Sequence, residues 1–229
     1  MLILGLNKTT LLDYPGHLAA TIFTGGCNFR CPYCHNGDLV LRPNEQKAIP
    51  FEEVIDHLNK RKGVLEGVCI TGGEPTLAND LYDVIAEIKK MGYLVKLDTN
   101  GTNPFIIRKL LSEGMLDYVA MDIKTTWDKY PLLTGAMDDE VKAVKETCEI
   151  LLRGEIDYEF RTTVVKEYIS ESDICNISEA LNGAKAWYIQ NYRDAEGVIE
   201  KGLHGYSEEE LRNIITRVCK TNVYLRGVE

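Results

Sequence analysis

Three cysteines, Cys27, Cys31 and Cys34, stand at spacing C-x3-C-x2-C within the run Gly25-Gly26-Cys27-Asn28-Phe29-Arg30-Cys31-Pro32-Tyr33-Cys34-His35-Asn36. Gly25, Gly26 and Pro32 keep regular structure out of this run, so the three thiolates can converge. Thiolates are the usual ligands of iron–sulfur clusters, normally four to a cluster. Three in one loop, with no fourth nearby in sequence, leave one iron of a four-iron cluster without a protein ligand. An open metal position is what a catalytic site needs and a structural one avoids. Two other chemistries fit the same loop. Structural zinc can take the three cysteines plus His35. Cys31-x-x-Cys34-His35 also matches covalent haem attachment, which requires export and leaves Cys27 idle. Of the remaining cysteines, Cys69 falls in a buried-strand pattern, Cys148 on an apolar helical stripe, and Cys175 and Cys219 in helical segments. All four read as small core hydrophobes.

A second chemical feature is Gly72-Gly73-Glu74-Pro75, which follows the apolar run Val68 to Thr71. Paired glycines let a backbone approach a neighbour or a ligand without a side chain in the way. Further along come Asp98-Thr99-Asn100-Gly101, Met121-Asp122-Ile123-Lys124 and Arg161, charged or polar groups at the ends of, or within, apolar runs. Gln190-Asn191-Tyr192-Arg193 closes a later apolar run in the same way. Each has a plain structural alternative as a turn, a helix cap or a solvated strand end.

The elements that must position these groups alternate along the chain. Phe51, Val54, Ile55 and Leu58 mark a helical stripe entered at Pro50 and left at Gly63. A strand follows at 68–71, then a helix on Leu81, Val84, Ile85 and Ile88 ended by Gly92, and a strand at 94–98. Asn103-Pro104 opens a helix that stops at Gly114, before a strand at 118–123. Val141, Val144, Cys148 and Leu151 predict another helix and 158–165 a strand. Ile174, Ile177 and Leu181 predict the next helix and 186–190 the next strand. The last helix starts at the capping box Ser207-x-x-Glu210 and presents Leu211, Ile214, Ile215 and Val218, with an extended piece at 222–226. With an opening strand at 19–24, about six strands each precede a helix or a long loop. That pattern implies a parallel sheet covered by helices. A complete eight-fold barrel takes about 250 residues. At 229 residues an incomplete, open barrel is expected, with a doubly wound sheet as the alternative. In either, ligands sit at the C-terminal ends of the strands.

Composition bounds the rest. The formal charge of −9 argues against a nucleic-acid partner held by phosphate contacts, which would need a basic face. No apolar stretch approaches the roughly 20 residues of a membrane helix. Met1 to Lys8 carries a short apolar run, no basic n-region and no small-residue cleavage site, so a cytoplasmic protein is expected. In that reducing compartment an odd count of seven cysteines favours metal binding or burial over disulfides. No linker or repeat stands out, and residues 1–229 are expected to form a single domain.

The cysteine loop together with Gly72-Gly73-Glu74-Pro75 resembles the radical S-adenosylmethionine (SAM) superfamily. Its cluster motif, C-x3-C-x-aromatic-C, is met with Tyr33 as the aromatic, and its GGEP motif is met without change. Asp13-Tyr14-Pro15-Gly16, Cys34-His35-Asn36 and the later motifs make the chain most similar to the activating enzymes of glycyl radical enzymes. Among these it is closest to the activases of anaerobic ribonucleoside-triphosphate reductase. The resemblance implies an incomplete (β/α)6 barrel, open on one side. It implies a [4Fe–4S] cluster on Cys27, Cys31 and Cys34, with SAM chelating the open iron. Around SAM it implies Gly72, Gly73 and Glu74 at the ammonium group, Tyr33 against the adenine, and Lys124 and Arg161 at the carboxylate. Asp98, Thr99 and Asp122 are implied at a ribose, an ammonium or a monovalent cation. The implied partners are a glycyl radical enzyme as protein substrate and a low-potential electron donor such as flavodoxin or ferredoxin, with no nucleic acid and no membrane. A radical SAM enzyme acting on a small molecule or modifying a peptide is the alternative.

Overall fold

The computed structural model of the protein describes residues 1–218 and 222–227, with the side chain of Val218 excepted; Cys219 lies outside the described residues. The chain forms two compact units. The first comprises Met1–Asn28, Asp38–Thr99 and Asn103–Val119; the second comprises Phe29–Gly37, Asn100–Thr102 and Ala120–Glu229.

The first unit holds β1 (Ile3–Thr10), β2 (Ala19–Thr24), most of α1 (Gly37–Leu41), α2 (Phe51–Lys60), β3 (Gly67–Gly72), α3 (Leu81–Lys90), β4 (Leu94–Thr99) and α4 (Pro104–Ser112). Its core sets Ile22, Val68, Ile70, Val95 and Leu97 of the strands against Leu58, Ile85, Ile88, Ile107 and Leu110 of the helices, all fully buried. The helices begin and run as the apolar periodicity requires. In α4, Asn103 caps the end by accepting from the Ile106 N–H at 3.3 Å, and Pro104 fills the first turn, where no N–H is needed.

The second unit contains the end of β5 (Tyr118–Asp122), then α5 (Tyr130–Thr134), α6 (Asp138–Leu152), β6 (Asp157–Val164), α7 (Glu171–Ala180), β7 (Trp187–Asn191), α8 (Glu208–Val218) and β8 (Val223–Arg226). Met121, Phe160, Val164 and Ile189 pack with Val144, Leu151, Ile174, Ile177 and Leu211. The capping box at the start of α8 is formed: Ser207 N–H donates to Glu210 at 2.6 Å and the Glu210 N–H donates to Ser207 Oγ at 3.2 Å.

Strand order follows chain order, β1 to β8, so β1 and β8 are the edges and the sheet is not closed. β2–β3, β3–β4, β6–β7 and β7–β8 pair in parallel. Each of β2 to β7 is followed by at least one helix, the (β/α)6 pattern of an open partial barrel, as expected. One strand departs from the sequence reading. β1 pairs antiparallel with β2 through two register shifts, and only Ile3 and Thr10 of it are buried. A bulged edge strand with so little burial leaves no clean period-two pattern in its sequence. The short helices α1 and α5 were likewise not legible, being five residues each.

Candidate functional site

In the first unit the site is built from backbone. The β2–β3 register sets Thr24 opposite Gly72, and the pairing carries on past the strand ends. Gly73 N–H donates to Thr24 O and Glu74 N–H donates to Gly26 O, each at 2.8 Å. Gly26 is the residue before Cys27, so the GGEP turn grips the entry to the cysteine loop. The two glycines are required by this approach. A Cβ on Gly73 would stand 1.8 Å from Gly26 O; one on Gly72, where φ is +112°, would stand 2.4 Å from Thr24 N. The close approach expected of the paired glycines is thus made to the chain itself.

Glu74 turns inward and is 2% exposed. Its Oε1 accepts from Thr76 N–H at 3.1 Å, Thr76 Oγ1 at 2.6 Å and Thr99 Oγ1 at 2.8 Å. Glu74 and Thr99, far apart in sequence, are therefore brought together at the ends of β3 and β4. Asp98 engages different groups: it is ion-paired with the buried Lys96 and accepts from Cys69 Sγ at 3.7 Å. Lys96 was not singled out in the sequence. Its position two residues before Asp98 on one strand was the available signal, since i and i+2 share a face.

In the second unit the site is built from charge. Asp122 at the end of β5 accepts from Lys124 Nζ at 2.9 Å and from Arg161 Nε at 2.8 Å. Burial would raise the Asp122 pKa, but Arg161 and Lys124 more than offset it and hold the carboxyl well below the usual carboxylate range. One carboxylate with two cations leaves this trio a net charge of about +1.

The later part of the cysteine loop is fixed from two sides. On one, Arg30 N–H donates to Thr134 O at 2.8 Å and the Phe29 ring meets Tyr130 edge-on at 6.1 Å. Tyr33 Oη donates to Lys124 O at 3.2 Å, while Lys124 N–H donates to Tyr130 Oη at 2.9 Å. On the other side the segment after β7 lies along the loop. Glu200 N–H donates to Pro32 O, Ile199 N–H to Cys34 O, and Gly37 N–H to Gly197 O. His35 packs its ring against Tyr192 at 5.7 Å. Tyr192, at the end of β7, thereby belongs to the frame of the loop. Tyr130, Thr134, Gly197, Ile199 and Glu200 are the members of that frame that sequence reasoning missed.

Cys31 is buried, and Cys27 and Cys34 are half-buried. Burial pushes the Cys31 thiol up to about 11, with Lys124 pulling the other way. Among the described residues, no three His, Cys, Asp or Glu side chains stand close enough to hold a single metal ion. Three thiols of one loop are a donor set of the kind that iron–sulfur clusters take. No helix among the described residues is long and apolar enough to cross a membrane.

Residues 21–181 match the model of the Radical SAM superfamily. A protein of Methanocaldococcus jannaschii, provisionally named a glycyl-radical enzyme activating enzyme, is 32% identical across 99% of this chain and 96% of its own length. A pyruvate formate-lyase-activating enzyme of Clostridium pasteurianum is 32% identical over 61% of each chain. A Pyrococcus horikoshii protein provisionally named a GTP 3′,8-cyclase is 30% identical over 56% of this chain and 41% of its own. Among solved structures, Streptococcus suis SuiB bound to S-adenosylmethionine superposes with a TM-score of 0.67 at 18% identity, over 89% of this chain and 49% of that one.

Proposed function

The chain belongs to the radical SAM superfamily, and on that premise we propose that it is an activase that reductively cleaves SAM and leaves a glycyl radical on a partner enzyme. The partner we assign is anaerobic ribonucleoside-triphosphate reductase. The observation that carries the activase reading is the similarity to the M. jannaschii protein, which runs over 99% of this chain and 96% of that one. The similarity to the cyclase covers barely half of this chain and less of the cyclase, which makes a small-molecule substrate the second reading.

Cys27, Cys31 and Cys34 would hold a [4Fe–4S] cluster. When bound and reduced by a donor such as flavodoxin or ferredoxin, it supplies the electron that splits SAM into methionine and a 5′-deoxyadenosyl radical, which takes a hydrogen atom from the partner's glycine. The chain's own residues bind and orient. Gly72 and Gly73 lock the GGEP turn onto Gly26 and so set where Cys27 emerges. Because Glu74 Oε1 already receives three donors, it braces the turn, and the turn's backbone carbonyls receive the ammonium group of SAM. Thr99 shares that brace. Lys124 and Arg161 keep one positive charge in excess of Asp122, which matches the single carboxylate of the methionine moiety. Tyr33 fixes the loop through Lys124 O and would lie against the adenine. Asp98 and Asp122 already face protein cations, so a monovalent cation there would compete with Lys96 or with Lys124 and Arg161. Hydrogen abstraction by a radical needs no general acid–base pair, and none is evident among these groups. We place the enzyme in the cytoplasm, working without oxygen.

The test uses anaerobically reconstituted protein with SAM, a reductant and anaerobic ribonucleotide reductase. A brown protein absorbing near 400 nm, formation of 5′-deoxyadenosine and a glycyl doublet in the EPR spectrum are expected. Cys31→Ala should abolish cleavage with its circular dichroism spectrum unchanged. Cleavage of SAM without a glycyl doublet on the reductase would remove the partner assignment, and full cleavage by Cys31→Ala would remove the cluster assignment.

A further inference from the structure

The first unit buries a charge that the proposed mechanism does not use. Lys96, in the middle of β4, is 2% exposed. Val95 and Leu97 on either side of it pack toward the helices, so strand alternation turns Lys96 and Asp98 together to the other face of the sheet. On that face the β3–β4 register sets Cys69 opposite Lys96. Three groups surround the Lys96 ammonium: the Asp98 carboxylate, with which it is ion-paired, Cys69 Sγ at 3.7 Å, and the ring of Tyr118, whose centroid is 6.0 Å from Nζ. The last distance is within reach of a cation–π contact.

Stability does not account for a lysine here. Taking an ammonium and a carboxylate out of water costs about as much as their attraction returns, and apolar residues of similar volume commonly serve as well or better. The placement of the pair is more telling. The Asp98 side chain is 12% exposed and that of Lys96 2%, so the carboxylate lies toward the C-terminal end of β4, where ligands are expected, and the ammonium lies beneath it. Lys96 therefore reaches a ligand only through Asp98.

The sequence resemblance implies a ribose, an ammonium or a monovalent cation at Asp98 and Thr99. The groups at the end of β4 do not fit a bound metal cation. Hard cations are held by several oxygens. Asp98 Oδ1 already meets the Lys96 ammonium and accepts from the Cys69 thiol at 3.7 Å. Thr99 Oγ1 is turned to Glu74 Oε1, which takes two further donors from Thr76. A thiol and an ammonium beside Asp98 are not cation ligands, yet the single positive charge of an alkali ion is present in the ammonium. We infer that Lys96 takes the place of an alkali cation at Asp98, as a tethered ammonium that neutralises the carboxylate and holds it in position for the ligand. The inference rests on the SAM reading of this site, in which Lys96 is a positioning residue and neither K+ nor Na+ is needed for SAM to bind.

The experiment is calorimetric titration of anaerobically reconstituted wild type, Lys96→Met and Lys96→Ala with SAM. It is run in potassium chloride and in tetramethylammonium chloride of equal ionic strength, the second cation being too bulky to coordinate. Wild-type affinity should agree within twofold between the two salts. Lys96→Met fills the space without the charge and should bind at least tenfold more weakly in both. Lys96→Ala opens room beside Asp98; it should be as weak in tetramethylammonium and recover at least fivefold in potassium. Melting temperatures without SAM give a second reading. Potassium should raise that of Lys96→Ala saturably and should move neither wild type nor Lys96→Ala combined with Asp98→Asn. A wild type that needs potassium to bind SAM overturns the inference. So does Lys96→Met at wild-type affinity, or a Lys96→Ala whose affinity and melting both ignore potassium. Where Lys96→Ala does not fold, wild type and Lys96→Met decide. Failure of wild type to bind SAM in either salt would remove the SAM reading instead, and the melting series would still decide whether a cation can replace Lys96.

Discussion

The GGEP turn in the first unit and the end of β5 in the second are both strand-end segments that carry candidate site residues, yet they are held by different physics. The turn is held backbone to backbone, with two glycines pressed against Thr24 and Gly26 and no net charge except that of an inward-facing, fully engaged glutamate. The β5 end is held by side chains, two cations around one aspartate, with Asp122 about a quarter exposed. Steric closeness tolerates no substitution, since a backbone cannot move aside. Charge balance tolerates substitution in stability but not in what it attracts. The first region should therefore fail by losing structure, and the second by losing ligand.

The largest effect is expected at Gly73→Ala. Its Cβ would fall 1.8 Å from Gly26 O, which forces the turn away and removes the Gly73–Thr24 and Glu74–Gly26 hydrogen bonds. Two bonds at about 1 kcal/mol each, with about 1–3 kcal/mol of overpacking, give a loss of about 3 kcal/mol or more. Urea unfolding should show it, together with lowered iron content after reconstitution, because Gly26 leads directly into Cys27. A variant of wild-type stability would mean that the turn is loose and the two regions do not differ as described.

Glu74 sharpens the same side of the comparison. Glu74→Ala leaves Thr76 N–H and two threonine hydroxyls without their acceptor in a buried place, at about 2 kcal/mol. Glu74→Gln keeps a carbonyl oxygen for all three and should stay within about 1 kcal/mol. If the carboxylate met the SAM ammonium directly, Glu74→Gln would weaken SAM binding tenfold or more; bracing alone predicts less than threefold.

At the charged end, Arg161→Met leaves Lys124 as the sole cation on Asp122. The stability cost is about 2 kcal/mol, below the ~3–5 kcal/mol of a fully broken buried pair because Lys124 remains. The affinity for SAM should fall by a larger proportion, since the net positive charge disappears. The pH dependence has a definite sign. The Asp122 pKa is depressed in the folded protein, so its contribution is present in full above the unfolded value of about 3.9 and is lost as pH falls through the folded one. The difference between wild type and Arg161→Met should be constant between pH 5 and 8 and shrink below about pH 4. A difference that grows in acid would place the effect of Arg161 elsewhere.

How much of this was legible in the sequence follows the same division. Helices on Val54, Ile85 and Ile177 and the central strands could be read because burial there is decided by apolar periodicity, and the helix after Asn103-Pro104 from its start and stop residues. β1 could not, since a bulged edge strand buries little. In the site, Gly72 and Gly73 were legible as a close approach, but not that its partner is Gly26, because a backbone contact leaves no trace in side-chain types. Asp122, Lys124 and Arg161 stood out as charges near strand ends. Lys96 hid inside a strand that is buried on both faces, where its pairing with Asp98 is a matter of face rather than composition. The frame of the cysteine loop, from Tyr130 and the segment around Gly197, depends on contacts more than a hundred residues apart along the chain, and no local pattern encodes those.

The smallest effect is expected where both kinds of support meet. The peptide of Lys124 is tied by two tyrosines: its carbonyl accepts from Tyr33, which belongs to the cysteine loop, and its N–H donates to Tyr130 of α5. Tyr130→Phe removes only the second tie, in a fully buried place where the ring and its contact with Phe29 remain. One hydrogen bond to a buried N–H is worth about 1 kcal/mol, and that should be the whole change in a urea titration. Because Tyr33 still holds the same peptide, SAM cleavage should fall less than about threefold. A tenfold loss with the same small change in stability would show that the Lys124 peptide sets the position of the charged trio through Tyr130 alone. The β5 end would then depend on backbone placement as strictly as the GGEP turn does.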